Sequence, residues 1–111
     1  MTDGVPDPQL DPLLLDPTRL AIVALLAATE WAEFAFVRDS VQLSDSALSK
    51  RLSQLSDTGY VEVRKGYVGK RPRTWVNLSG AGRGALSAHI AKLQQIATQV
   101  NKPADRADQS G

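Results

Sequence analysis

The chain has no cysteine, a single histidine, one methionine, and only two residues each of Trp, Tyr and Phe among 111. Without cysteine there is no disulfide, no thiolate metal site and no cysteine nucleophile. The lone His89 has no cysteine partners, and Glu30, Glu33 and Glu62 fall at no ligand spacing with it. A transition-metal site needs several such donors, so neither a metal nor any other cofactor is expected. No Ser-His-Asp order or paired-carboxylate arrangement suggests an enzyme. No apolar run approaches the roughly 20 residues that cross a bilayer. The start, MTDGVPDPQLDP, is acidic and proline-broken where a secretory signal is basic and then apolar. A cytoplasmic protein without membrane association is the expectation.

Charge is also nearly absent as a net quantity, at +1, but it is unevenly placed. Residues 1–16 carry Asp3, Asp7, Asp11 and Asp16 and no basic residue, whereas residues 64–73 carry Arg64, Lys65, Lys70, Arg71 and Arg73 and no acidic one. A concentrated positive patch inside a near-neutral chain is the footprint of a phosphate-contacting element.

At this length one domain with one core is expected. Composition predicts a flexible acidic arm over residues 1–10, a folded unit over 11–100 and a disordered polar tail over 101–111. Asp16-Pro17 is a good helix start. Leu20, Val23, Ala24 and Ala27, with Leu25 and Leu26, predict a buried helix from Pro17 to about Ala28. A short helix follows over Ala32–Asp39, anchored by Phe34 and Val37, with Phe36 a further candidate. Val41-Gln42-Leu43 makes a tight connection. Ser44 or Asp45 then caps a third helix, in which Leu48, Leu52 and Leu55 face inward until Gly59 stops it. Tyr60–Arg64 alternates as a half-buried strand, Gly66–Pro72 forms a basic tip, and Arg73–Leu78 returns. Ser79 caps a last helix over about 80–100, whose first turn is weakened by Gly80, Gly82 and Gly84. The fold class is mainly α with a small β-hairpin, ordered α-α-α-β-β-α. That is a winged helix-turn-helix with a long C-terminal helix.

With its leucines inward, the third helix (44–58) turns Ser46, Ser49, Lys50 and Ser53 outward, with Gln54 at the edge and Asp45 at the N-terminal end. A major groove accepts one helix, and residues near its start reach base edges. Short hydroxyls allow close approach; Lys50 can reach a guanine edge or a phosphate; Arg51 and Gln54 extend the contact along the backbone. In the hairpin, Lys65, Lys70 and Arg71 suit the minor groove or flanking phosphates, and Arg73 and Thr74 suit the phosphate backbone. The expected DNA-binding set is therefore Ser44, Asp45, Ser46, Ser49, Lys50, Arg51, Ser53, Gln54, Lys65, Lys70, Arg71, Arg73 and Thr74. Five to seven such cations would give a log–log salt dependence of about −5 to −6 per protomer.

The segments DPTRLAIVALL at 16–26, SDSALSKRLSQLSDTGYVEV at 44–63 and VGKRPRTWVNLSGAGRGAL at 68–86 carry a family resemblance. Over roughly residues 11–98 the chain resembles the small MarR/ArsR-like winged-helix transcription regulators of bacteria and archaea. It departs from them at Ala81, where a proline often opens the last helix. The resemblance implies a dimeric regulator of double-stranded DNA. The last helix supplies a matching stripe of Leu86, Ile90, Leu93, Ala97 and Val100, with His89 on its flank, as an expected homodimer interface. A repressor is the simplest form, because a dimer on an operator blocks polymerase with no extra domain. A small-molecule effector could sit between the dimer helices, although no residue set identifies one. The alternative is a winged-helix protein–protein interaction module whose basic hairpin meets an acidic partner. RNA binding fits less well, since few exposed aromatics are available to stack on single-stranded bases.

Overall fold

The computed structural model describes residues 9–101; residues 1–8 of the expected arm and 102–111 of the expected tail lie outside the described residues, and Asn101, expected in the tail, is helical. A single 3-10 turn at Pro12–Leu15 leads into α1 (Pro17–Ala27), β1 (Ala32–Glu33), α2 (Phe34–Val41), α3 (Asp45–Asp57), β2 (Val61–Val68), β3 (Arg71–Leu78) and α4 (Gly80–Asn101). The three strands form one antiparallel sheet in the order β1-β3-β2. Its inner face joins the helices around a core of Leu14, Ile22, Val23, Leu26, Ala32, Val37, Leu48, Leu52, Leu55, Val61, Val76 and Leu78. Each large side chain removed from water there contributes about 1.5–3 kcal/mol. No helix among the described residues is long and apolar enough to cross a membrane.

Local chemistry sets most boundaries. Asp16 caps α1 by accepting the Arg19 N–H at 2.9 Å, with Pro17 in the first turn. Of the expected stripe of α1, Val23 and Leu26 are buried, Leu20, Leu25 and Ala27 pack against the core and Ala24 is exposed, while Ile22, outside that stripe, is also buried. The helix packs on α2, α3, α4 and β3 together, so a nearly uniform apolar surface carries little phase.

The segment expected to open the second helix instead forms β1, with Ala32 opposite Val76 and Glu33 opposite Trp75. Trp31 makes the bend with a left-handed φ of 46°, and its N–H donates to Asn77 Oδ1 at 3.3 Å. In α2, Val37 is buried, Phe34 is half-buried and Phe36 is exposed. The helix runs to Val41 and closes on Gln42 at φ 58°, with Leu43 N–H on the Arg38 carbonyl and Gln42 N–H on that of Asp39. This paired closure recurs after α3, where Gly59 at φ 85° places Tyr60 N–H on the Leu55 carbonyl and its own N–H on that of Ser56. Both ends of α3 are thereby fixed.

The hairpin is longer and its turn tighter than expected. Val68 pairs with Arg71, leaving only Gly69 and Lys70 as the loop. Gly69 has φ 65° and Lys70 has no positive φ, the pattern of a type II′ turn with glycine first. Gly66 lies inside β2; a β-carbon there would meet the Trp75 ring at 3.2 Å, so the glycine makes room for that ring. Pro72 sits in β3 opposite Tyr67, one step from the turn-flanking pair and beyond the reach of β1. A missing N–H costs no ladder bond at such a position.

The glycines at the head of α4 also have a packing reason. Ser79 Oγ accepts the Gly82 N–H at 3.0 Å and donates to the Gly59 carbonyl at 2.6 Å. A β-carbon on Gly82 would lie 2.6 Å from Leu78 Cδ1 and collide with the Tyr60 carbonyl. Gly82 thus lets α4 close onto the root of the hairpin.

Candidate nucleic-acid interface

The polar face of α3 and one face of the hairpin enclose an open groove of about 450 Å³. Phe34, Leu52 and Val63 give it an apolar floor, and Asp45, Ser49, Ser53, Lys65 and Thr74 are among its polar lining. Helix periodicity explains the first wall. Burial of Leu48, Leu52 and Leu55 leaves Ser46, Ser49, Lys50 and Ser53 exposed on the other side. Ser44 begins the helix, its Oγ accepting the Ala47 N–H at 3.1 Å and lying 3.4 Å from Ser46 Oγ. It is therefore the cap, and Asp45 is the first helical residue.

Strand register explains the second wall. Val61, Val63 and Lys65 share a face with their partners Leu78, Val76 and Thr74, so Lys65 and Thr74 lie side by side toward α3. Arg64, with Trp75, and Arg73, opposite Gly66, occupy the reverse face. There the Arg64 guanidinium lies 4.0 Å from the Trp31 ring centroid. Arg73 Nε lies 3.7 Å from Glu33 Oε1. Lys70 and Arg71 are exposed at and beside the turn. The basic run is thus divided between two faces and a tip.

Two residues of α3 expected to extend the contact along the DNA backbone, Arg51 and Gln54, have partners within the protein. Arg51 Nε lies 3.5 Å from Asp16 Oδ2, buried and without a hydrogen bond. Gln54 Oε1 accepts from Arg19 Nη1 at 2.8 Å, while Arg19 Nε donates to the Leu13 carbonyl at 2.7 Å. Both lie on the flank of α3 that packs toward α1, because one-residue steps of 100° carry neighbours of Lys50 and Ser53 off the polar face. Asp16 and Arg19 thus hold these two side chains on the α1 side of the helix, away from Lys50 and Ser53.

Arg38, which no sequence signal singles out, is bonded to the groove-lining Asp45. Its Nε donates to Asp39 Oδ1 at 2.8 Å and its Nη1 to Asp45 Oδ1 at 2.9 Å. Hydrogen bonds to Asp39 and then Asp45 raise the Arg38 pKa above its ordinary value, and the bond from Arg38 lowers that of Asp39. The pairing spans a helix–helix turn, so no periodicity announced it.

On α4 the expected interface stripe splits in two. Leu86 packs against the core and His89 is buried within the protomer, where its Nδ1 accepts the Asp11 N–H at 2.9 Å. The interface reading of His89 is corrected: its side chain is enclosed within the protomer, against Asp11. That bond also places the imidazole proton on Nε2. Asp11 Oδ2 accepts from the Tyr60 hydroxyl at 2.5 Å, and this bond, reinforced by burial, pushes the Tyr60 pKa up to about 12. Beyond His89, Ile90, Leu93, Ile96 and Val100 are exposed apolar residues, with exposed Ala97 among them. Ile96 was absent from the expected stripe although it lies three residues from Leu93.

Comparison with known proteins agrees with this arrangement. Residues 18–97 match the family model described as a winged helix DNA-binding domain. An uncharacterised protein of Methanocaldococcus jannaschii is 29% identical over 82 residues, covering 74% of this chain and 89% of that protein. Among solved structures, a transcriptional regulator homologue from Pyrococcus horikoshii superposes with a TM-score of 0.75 at 24% identity, covering 80% of this chain and 88% of that one. A MarR family transcription regulator gives 0.64 at 16% identity, covering 84% and 61%. At these identities the structural matches establish the fold, which is that of the MarR-type winged helix.

Proposed function

We propose that this chain, which belongs to the winged helix DNA-binding domain family, is a sequence-specific transcriptional regulator that binds double-stranded DNA as a homodimer and acts in the cytoplasm as a repressor. The observation that carries the proposal is the groove in which Ser49 and Ser53 of α3 face Lys65 and Thr74 of the hairpin. One duplex fits both walls: α3 enters the major groove with Asp45, Ser46, Ser49, Lys50 and Ser53 toward base edges and adjacent phosphates, while Lys65, Thr74, Lys70 and Arg71 follow the backbone and the neighbouring minor groove.

Among the described residues, Lys50, Lys65, Lys70 and Arg71 make no ion pair, whereas Arg51 and Arg73 have acidic partners and Arg64 is stacked on Trp31. Four unpaired cations give a log–log salt slope of about −4 per protomer, shallower than the count of charges alone implies. The apolar row Ile90, Leu93, Ile96, Ala97 and Val100 has the 3/4 spacing of a helix-to-helix seam and supports pairing of two α4 helices. Two copies so joined would present their α3 helices to successive turns of one duplex, with half-sites about 10 base pairs apart. Any effector of small size would act by altering that spacing, and the dimer seam is the place for it.

Selection of bound sequences from random duplexes tests the reading directly. The expected product is a two-fold symmetric site at that spacing, bound by a species of dimeric mass in light scattering. Lys70→Ala combined with Arg71→Ala should weaken binding to every sequence and reduce the slope by about 2. Unchanged affinity at moderate salt would remove the hairpin from the interface.

A further inference from the structure

We infer that Asp45 is a base-reading acceptor for the exocyclic amine of cytosine and that Arg38 is the residue that positions it. This rests on the DNA-binding reading above and adds to it a specific preference and a second residue.

Asp45 is an unusual group to find on a surface that meets phosphates. The groove has two carboxylates in its lining, Asp45 and Asp57, at opposite ends of α3. Asp57 is at the C-terminal end, away from the part of a recognition helix that meets base edges. Asp45 is in the first turn, where such contacts are made. Its neighbours on that surface are hydroxyls and ammonium groups. Serines donate or accept alike and discriminate bases weakly, and Lys50 only donates. A carboxylate only accepts, and in the major groove the cytosine N4 amine is a donor that it can satisfy.

The structure also holds Asp45 in place for that contact. An isolated carboxylate would be driven out of a polyanionic groove. Here Arg38 Nη1 holds Asp45 Oδ1 at 2.9 Å, while Asp39 Oδ1 anchors Arg38 Nε at 2.8 Å. The planar guanidinium fixes one oxygen, offsets its charge and leaves the carboxylate exposed on the groove side of α3. Among the described residues no donor reaches Asp45 Oδ2. Arg38, Asp39 and Asp45 together still carry one negative charge, so a duplex that offers no amine at this point is penalised by repulsion and by an unsatisfied acceptor. Asp45 therefore sharpens specificity in two ways, by rewarding cytosine and by weakening attachment to unrelated DNA.

The test uses the full-length protein and the duplex recovered by random selection, measured by fluorescence anisotropy. One cytosine per half-site, at the position facing the start of α3, is replaced by 2-pyrimidinone, which is cytosine without its N4 amine. Wild-type affinity should fall about tenfold. Asp45→Ala should bind the two duplexes equally and bind unrelated duplex severalfold more tightly than wild type. Asp45→Asn, which both donates and accepts, should shift the selected base from cytosine toward adenine. Arg38→Ala should shrink the discrimination, Arg38→Lys should restore part of it, and Arg38→Ala should have no further effect on it in the Asp45→Ala background. Circular dichroism and a urea midpoint near wild type confirm that each variant is folded. Discrimination retained in Asp45→Ala, or selected sites with no fixed cytosine, would overturn the inference while leaving DNA binding intact. Failure of the wild-type protein to select or bind any duplex would overturn both.

Discussion

Lys50 and Arg51 are adjacent, equally basic and on the same helix, yet they belong to different regions of the molecule. Lys50 is exposed on the serine face of α3, whereas Arg51 is turned toward α1 and Asp16. The hairpin repeats the division. Lys65 faces the groove beside Thr74, and its neighbour Arg64 lies on the other side of the sheet against Trp31. In each pair the arginine is engaged within the protein and the lysine is left without an acidic partner. A planar guanidinium suits fixed pairing and ring stacking, while a flexible ammonium suits a phosphate that arrives later. The lesson is that counting cations overstates a nucleic-acid interface; only those that the fold leaves unpaired contribute counterion release.

Several substitutions test this division of the charges. The largest effect is expected at Asp16, which caps α1 and faces Arg51. Asp16→Ala should cost about 2 kcal/mol of stability in urea unfolding, from the lost cap and an arginine left without its partner. DNA affinity of the protein that remains folded should be unchanged. Lys50→Ala should do the reverse, with stability within about 0.5 kcal/mol of wild type and the salt slope of binding smaller by about 0.9. Equal loss of stability at Lys50 would erase the distinction. Arg64→Ala should remove about 0.5–1 kcal/mol of stability through the lost stacking on Trp31, and should leave the salt slope as it was.

The smallest effect is confined to alkaline solution. The Tyr60 hydroxyl, bonded to Asp11, has its pKa raised to about 12 from about 10 in an unfolded chain. Its contribution to stability is therefore complete below about pH 10 and is lost as pH rises toward the folded value. Tyr60→Phe should flatten that decline in unfolding free energy measured between neutral pH and pH 11. A decline that persists unchanged in the variant would assign it to another group.

What could be read before folding follows from short-range rules. The cap at Ser44, the inward leucines of α3, the glycine stop at Gly59 and the alternation entering β2 all depend on residues within a turn or two of one another. Where a helix is apolar nearly all round, as in α1, the same rules lose their phase: exposed Ala24 falls in the expected stripe and buried Ile22 falls outside it. Elements made by distant pairing were not legible at all. β1 is two residues long and exists because Ala32 and Glu33 meet β3 more than 40 positions later. Gly66, expected in the loop, lies within β2 against the Trp75 ring, and the pairing of Val68 with Arg71 leaves only Gly69 and Lys70 in the turn.

A capped, serine-faced helix followed by a basic hairpin and a long terminal helix is already written in the order of the residues. Periodicity and capping act locally, and no tertiary contact is required to specify them. Only the tertiary structure decided which of the charges remain available. Arg51 was drawn to Asp16, Arg73 to Glu33 and Arg38 to Asp45. Partners far apart along the chain become neighbours only when helices and sheet close on one core, and that closure separates the cations that hold the protein together from those left for a phosphate.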